Sequence, residues 1–211
     1  MSFENFKHGY ADNMKFINPN ILSVLALLVS LETGYYFLYA NKTKSLYISI
    51  VVLLLFRLVI NWTTKLIIEA RGSRVSHNVY YHIADKYSEL FIWCGFMFSR
   101  LTNPILGLFT LISVVLTDVV GFLGKAAGVG CIKNGPMCKV GRTLLLIIIL
   151  LVEYFCMKHG KPYMIFDLEK GNIFSWQDLG AVFLIILTQL TIFIRILALK
   201  KRVQSDESKK W

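Results

Sequence analysis

The stretch EARGSRVSHNVYYHIADKYSEL, Glu69 to Leu90, interrupts a chain that is otherwise mostly apolar. It opens on an acid and an Ala-Arg pair and runs through a polar segment. It ends with Asp85 and Glu89, four residues apart at the start of the next apolar run. On a helix that spacing puts both carboxylates on one face. A charge near the centre of a bilayer costs on the order of 3 kcal/mol or more on insertion scales. Charges at the edge of an apolar run therefore mark either a solvated connection or a site, and the runs on both sides decide which membrane architecture holds them.

Those runs are long. Of 211 residues, 55% are hydrophobic and 17% charged, with a mean hydropathy of +0.57. This balance predicts several membrane spans rather than a soluble domain. Six apolar segments approach the roughly 20 residues that a bilayer core requires. They run over about 21–40, 46–60 (continuing as helix to 70), 83–99, 104–123, 144–157 and 179–199. The predicted fold class is an all-α integral membrane protein with six transmembrane helices. The first span follows INPN, with Asn20 as its helix cap. Residues 1–17 carry Phe3, Phe6, Tyr10, Met14 and Phe16 among charges, the pattern of a short interfacial helix. They show no signal-peptide pattern. Residues 18–202 form the six-span domain, and 203–211 read as a disordered basic tail.

The formal charge of +10 sits mostly in the connections, where topology and anionic headgroups explain it. No motif points to nucleic acid. Lys65, Arg71, Arg74, Lys125, Lys133, Lys139, Arg142, Lys200, Lys201 and Arg202 gather on one side, with the N-terminal lysines. Lys42, Lys44, Arg100, Lys158, Lys161 and Lys170 fall on the other. The bias predicts both termini in the cytoplasm. Cys94 and Cys156 read as small hydrophobes, and the spacing of Cys131 and Cys138 does not suit zinc.

Charged residues inside the runs are site candidates by default. Glu32 and Arg57 read as a structural pair between the first two spans. Glu153 and Arg195 read as snorkelling or capping groups near span ends. Asp85 and Glu89 can either hold a divalent cation, as hard oxygen ligands suit Mg²⁺, Mn²⁺ or Ca²⁺, or pair with Arg71 and Arg74.

Several stretches together resemble the CDP-alcohol phosphatidyltransferases, from about residue 18 to 202. NPNILSVLALLVS is similar to the start of that family's first span. TTKLIIEAR stands where its signature begins, Asp-x2-Asp-Gly-x2-Ala-Arg, and YHIADKYSEL stands where it continues, Gly-x3-Asp-x3-Asp. GVGCIKNGPMCKVGRTLLL and the last span with its basic tail also resemble members. With Ala70 and Arg71 as the signature's Ala-Arg, its first two aspartates fall on Thr63 and Leu66, and its glycine on Ile67. Without a gap, the second glycine falls on Tyr81 and the last aspartates on Asp85 and Glu89. A second register, shortened by three, leaves Asp85 as the only acid.

The resemblance implies a metal-dependent transferase of phospholipid biosynthesis. Such an enzyme moves a phosphatidyl or phospho-alcohol group from a CDP-linked donor to a small hydroxyl acceptor, and releases CMP. It implies Asp85 and Glu89 as catalytic residues, and Asp85, Glu89 and Glu69 as ligands of Mg²⁺ or Mn²⁺. Glu69 is included because it lies about one turn past Leu66. Arg71, Arg74, Lys139 and Arg142 become substrate-binding groups, and a homodimer amid membrane lipids is implied. The alternative is a catalytically inactive six-span relative that binds a lipid or a partner. An unrelated transporter would account for the intramembrane charges but not for the span-by-span resemblance.

Overall fold

The computed structural model describes residues 17–40, 43, 45–70, 75–99, 102–130, 132, 134–159, 164–168 and 172–207. They form α1 (Pro19–Tyr39), α2 (Ser45–Ala70), α3 (Val75–Met97), α4 (Pro104–Ala126), α5 (Lys139–Lys158), β1 (Met164–Leu168), β2 (Asn172–Ser175) and α6 (Trp176–Glu207). The two strands correct the all-α expectation. They pair antiparallel, with Phe166 opposite Phe174 and Leu168 opposite Asn172.

Among the described residues, five helices are long and apolar enough to cross a membrane: α1, α2, α4, α5 and α6. Five of the six expected spans are found, and where the third was expected stands α3, a helix of lower hydropathy. Length is not what α3 lacks, since its 23 residues at about 1.5 Å each span roughly 35 Å. Its polar opening and the Asp85–Lys86 and Glu89 charges lower its hydropathy. The predicted interfacial helix falls on residues 1–16, outside the described ones. Residues 203–207, expected as disordered tail, are the last turns of α6.

Local chemistry sets the helix ends. The cap of α1 is Asn18 rather than Asn20: its side-chain oxygen accepts from the Asn20 amide at 3.0 Å, with Pro19 opening the helix. Asn103 and Pro104 repeat the device on α4. On α6, Ser175 and Asp178 form a capping box. The Asp178 amide donates to Ser175 Oγ at 3.0 Å, and the Ser175 amide donates to Asp178 Oδ2 at 2.9 Å.

The helices turn small residues inward and large ones outward. On α4, Gly107, Thr110, Ser113, Thr117, Gly121 and Gly124 are buried, while Ile105, Leu108, Phe109 and Ile112 are exposed. Lipid offers no hydrophobic drive between helices, so small residues that let backbones approach are favoured at the contacts. Several buried hydroxyls are satisfied within their own helix. Ser30 donates to the Ala26 carbonyl at 2.6 Å, Thr117 to Ser113 at 2.7 Å and Thr188 to Leu184 at 2.8 Å.

The chain divides into two compact units, 1–96 and 97–211. In the first, Ala26, Val29 and Ile60 pack α1 on α2. The backbones of α1 and α3 touch at two glycines: a Cβ on Gly95 would lie 2.5 Å from the Gly34 Cα. Phe37 and Phe96 close that crossing edge-to-face, with ring centres 5.9 Å apart. In the second unit, α6 packs against both α4 and α5. The connection after α4 folds back onto the bundle, where the Ile132 amide donates to the Gly121 carbonyl and the Met137 amide to Thr191 Oγ1. Gly135 makes this possible. Its φ of +113° suits glycine, and a Cβ there would meet Thr191 Cγ2 at 2.5 Å.

Candidate functional site

In the first unit, α2 and α3 carry the residues that the sequence singles out. Arg57 is 1% exposed and Asp85 7%. A guanidinium nitrogen of Arg57 lies 4.0 Å from Asp85 Oδ1. This corrects the expected pairing of Arg57 with Glu32. Glu32 instead faces outward and accepts a hydrogen bond from the Tyr36 hydroxyl at 2.9 Å. Two buried charges cost several kcal/mol each to desolvate, and the opposite charge nearby offsets part of that cost.

One turn along α3, Glu89 is also buried, and Lys86 Nζ lies 3.6 Å from its Oε2. Asp85 and Glu89 do share a buried face, as their spacing predicts. The hydroxyl of Ser88, on the same buried side, has no hydrogen-bond partner among the described residues. On α2, Thr63, Leu66 and Ile67 are buried, and Thr64 donates to the Ile60 carbonyl. Aliphatic side chains thus occupy the positions that the resemblance gives to an aspartate and a glycine.

Glu69 does not join this face. It is exposed and lies 3.6 Å from Lys65 one turn earlier. Three residues advance a helix by about 300°, short of a full turn. The remaining 60° carries Glu69 from the buried side of Leu66 into the open, which corrects its expected place beside Leu66. Arg71 and Arg74 lie outside the described residues.

The donor set decides how well a metal centre fits. Among the described residues, no group of three or more His, Cys, Asp or Glu side chains comes together. The three expected ligands each lie beside a basic side chain of the protein: Asp85 beside Arg57, Glu89 beside Lys86, Glu69 beside Lys65. A pair of cations bridging a diphosphate needs several carboxylates converging from two helices. The residues present do not fit such a centre.

The second unit holds its own polar interior. Arg142, expected to meet a substrate phosphate, is 1% exposed. Its guanidinium donates to Asp118 Oδ1 at 2.9 Å and to the Val114 carbonyl at 3.3 Å. It ties α5 to α4. Lys139 stands at the first position of α5 and is half-buried. Arg195 neither snorkels nor caps. It is buried and donates from Nε to the Asn134 carbonyl at 3.0 Å, and also to the Thr117 carbonyl. Glu153 is likewise buried, contrary to a place at the interface. The partners of Arg57, Arg142 and Arg195 lie on other helices or on the folded-back connection, and span-by-span reading missed them.

These features define a multi-pass membrane protein whose helices enclose buried, paired charges. Its fold is shared with a solved structure. It is similar to the crystal structure of Mycobacterium tuberculosis phosphatidylinositol phosphate synthase with CDP-DAG bound, at a TM-score of 0.67 and 13% identity. The match covers 92% of this chain and 94% of that one. No protein-family model matches the chain, and no curated protein does.

Proposed function

We propose that this chain works in phospholipid metabolism as an integral membrane protein that binds a CDP-linked lipid. The observation that carries the reading is the fold. Over 92% of its length the chain follows a synthase that was crystallised with CDP-DAG, so the reading rests on likeness of fold. We place both termini in the cytoplasm from the distribution of Lys and Arg. We also count α3 as a sixth span, because its length suffices and its acids lie beside basic side chains.

Binding without metal-assisted transfer is the reading that the side chains favour. Phosphatidyl transfer requires an acceptor oxygen to attack the lipid-side phosphorus while CMP leaves with the bridging oxygen. The charge that builds on the diphosphate must be neutralised. Here Thr63, Leu66 and Ile67 stand in the first half of the signature, and Asp85 and Glu89 lie beside basic groups. We derive no transfer step through these residues. Transfer to a small alcohol, with CMP release, is the alternative. Its support is the buried carboxylate pair on α3. Measuring CDP-DAG retention and CMP release on the same purified protein separates the two: retention without CMP supports binding, and CMP formed with an acceptor supports transfer.

A further inference from the structure

We infer that Arg57 takes the place of the cation at this site. It is a fixed, protein-borne positive charge that holds Asp85 and makes the protein independent of divalent metal. The inference rests on reading α2 and α3 as the site of the proposed function, and its test requires no nucleotide lipid.

The geometry supplies three observations. First, the guanidinium of Arg57 reaches Asp85 from within the bundle, with both groups more than nine-tenths buried. Arginine keeps its charge under all ordinary conditions, so this positive charge cannot be titrated away. Second, the other two candidate ligands also have basic neighbours, Lys86 for Glu89 and Lys65 for Glu69. The Lys65–Glu69 pair is open to solvent and contributes little. The buried Arg57–Asp85 pair is the one that matters. Third, a divalent ion bound at Asp85, about 2 Å from the carboxylate oxygen, would lie no more than about 6 Å from the guanidinium nitrogen that stands 4.0 Å from Oδ1, where like charges repel. Arg57 at its present place thus opposes metal at Asp85.

The consequence is specific to Arg57. With it in place, Asp85 needs no metal. Without it, Asp85 and Glu89, buried carboxylates one turn apart on α3, lose the buried guanidinium beside them. That arrangement repels itself and attracts a hard cation. Removing the arginine should therefore create a metal requirement where none existed.

The test uses the full-length protein in lipid nanodiscs. Melting of the wild type is followed with EDTA, with millimolar Mg²⁺ and with millimolar Mn²⁺, and Mn²⁺ binding is followed directly by its paramagnetic resonance. The expected result is a melting temperature that metal and chelator leave unchanged, with no saturable Mn²⁺ signal. Arg57→Gln should melt about 10 °C lower in EDTA, the scale of breaking a buried pair. It should regain part of that loss with Mn²⁺. Arg57→Lys should behave as the wild type does toward metal, and Arg57→Gln with Asp85→Asn should recover stability without metal. Saturable Mn²⁺ binding by the wild type, or a chelator-induced drop in its melting temperature, would overturn the inference. That measurement stands even where a variant fails to fold. A metal-binding wild type that also retains CDP-DAG would sink this inference and leave the proposed function standing, while loss of CDP-DAG binding would do the reverse.

Discussion

Replacing Arg142 by methionine separates two roles for one side chain. The resemblance implies a phosphate contact for Arg142, whereas its guanidinium donates to Asp118 at 2.9 Å and to the Val114 carbonyl. At that distance and an effective dielectric of 20, the gross attraction is about 6 kcal/mol. Desolvation of both groups offsets most of it. Removing one partner of a buried pair costs about 3–5 kcal/mol because the other charge is stranded. The Asp118 side chain keeps 19% of its surface exposed, so water relieves part of that penalty and a loss of about 3 kcal/mol is expected. For a chain of this size that corresponds to a fall of roughly 6–12 °C in melting temperature. The paired change Arg142→Met with Asp118→Leu should recover most of it. Melting of both variants in nanodiscs, together with CDP-DAG retention below the lower transition, makes the assay. An unchanged melting temperature in Arg142→Met combined with lost lipid retention would refute the structural tie and restore the phosphate-contact reading.

At the crossing of α1 and α3, Gly95→Val should lower the melting temperature by several degrees, since its Cβ would lie 2.5 Å from the Gly34 backbone; overpacking of this kind costs about 1–3 kcal/mol. Gly95→Ala should fall between it and the wild type, and wild-type melting of the valine variant would contradict the close crossing. Topology is tested at Cys138, an exposed free thiol at the start of α5. With Cys131 replaced by serine, a membrane-impermeant maleimide should label Cys138 in inverted vesicles and not in intact cells, and labelling from outside would reverse the proposed orientation.

Most of the helical framework was legible because apolar runs and their breakers act locally. Pro19 and Pro104 open α1 and α4 where a proline-marked start is expected, and the apolar stretch of α2 carries its helix through to Ala70. The cap of α1 was misplaced by two residues, since Asn18 and Asn20 flank the proline and only side-chain geometry selects between them. The hairpin of β1 and β2 was missed. Its runs of aromatic and β-branched residues, MIFDL and NIFS around Glu-Lys-Gly, are too short to stand out beside twenty-residue spans. The signal was present as two such runs separated by three residues that include a glycine.

The site was half legible. The shared face of Asp85 and Glu89 follows from helical spacing alone. Their neighbours do not. Arg57 lies 28 residues before Asp85 in the chain, and nothing local in α2 shows that its guanidinium reaches α3 rather than Glu32. Glu69 was misjudged for a smaller reason. At the edge of a buried face, the 60° by which three residues fall short of a turn decides between interior and solvent.

In the proposed function this fold holds a CDP-linked lipid without metal-assisted transfer. Equilibrium binding of radiolabelled CDP-DAG to the purified protein in nanodiscs with excess EDTA tests it most directly, with CMP release followed in the same samples after acceptor alcohols and Mg²⁺ are added. Saturable binding is expected that unlabelled CDP-DAG displaces and unlabelled phosphatidic acid does not, unchanged by EDTA, with no CMP formed. Absence of saturable binding, or CMP release that requires Mg²⁺ and an acceptor, would contradict it.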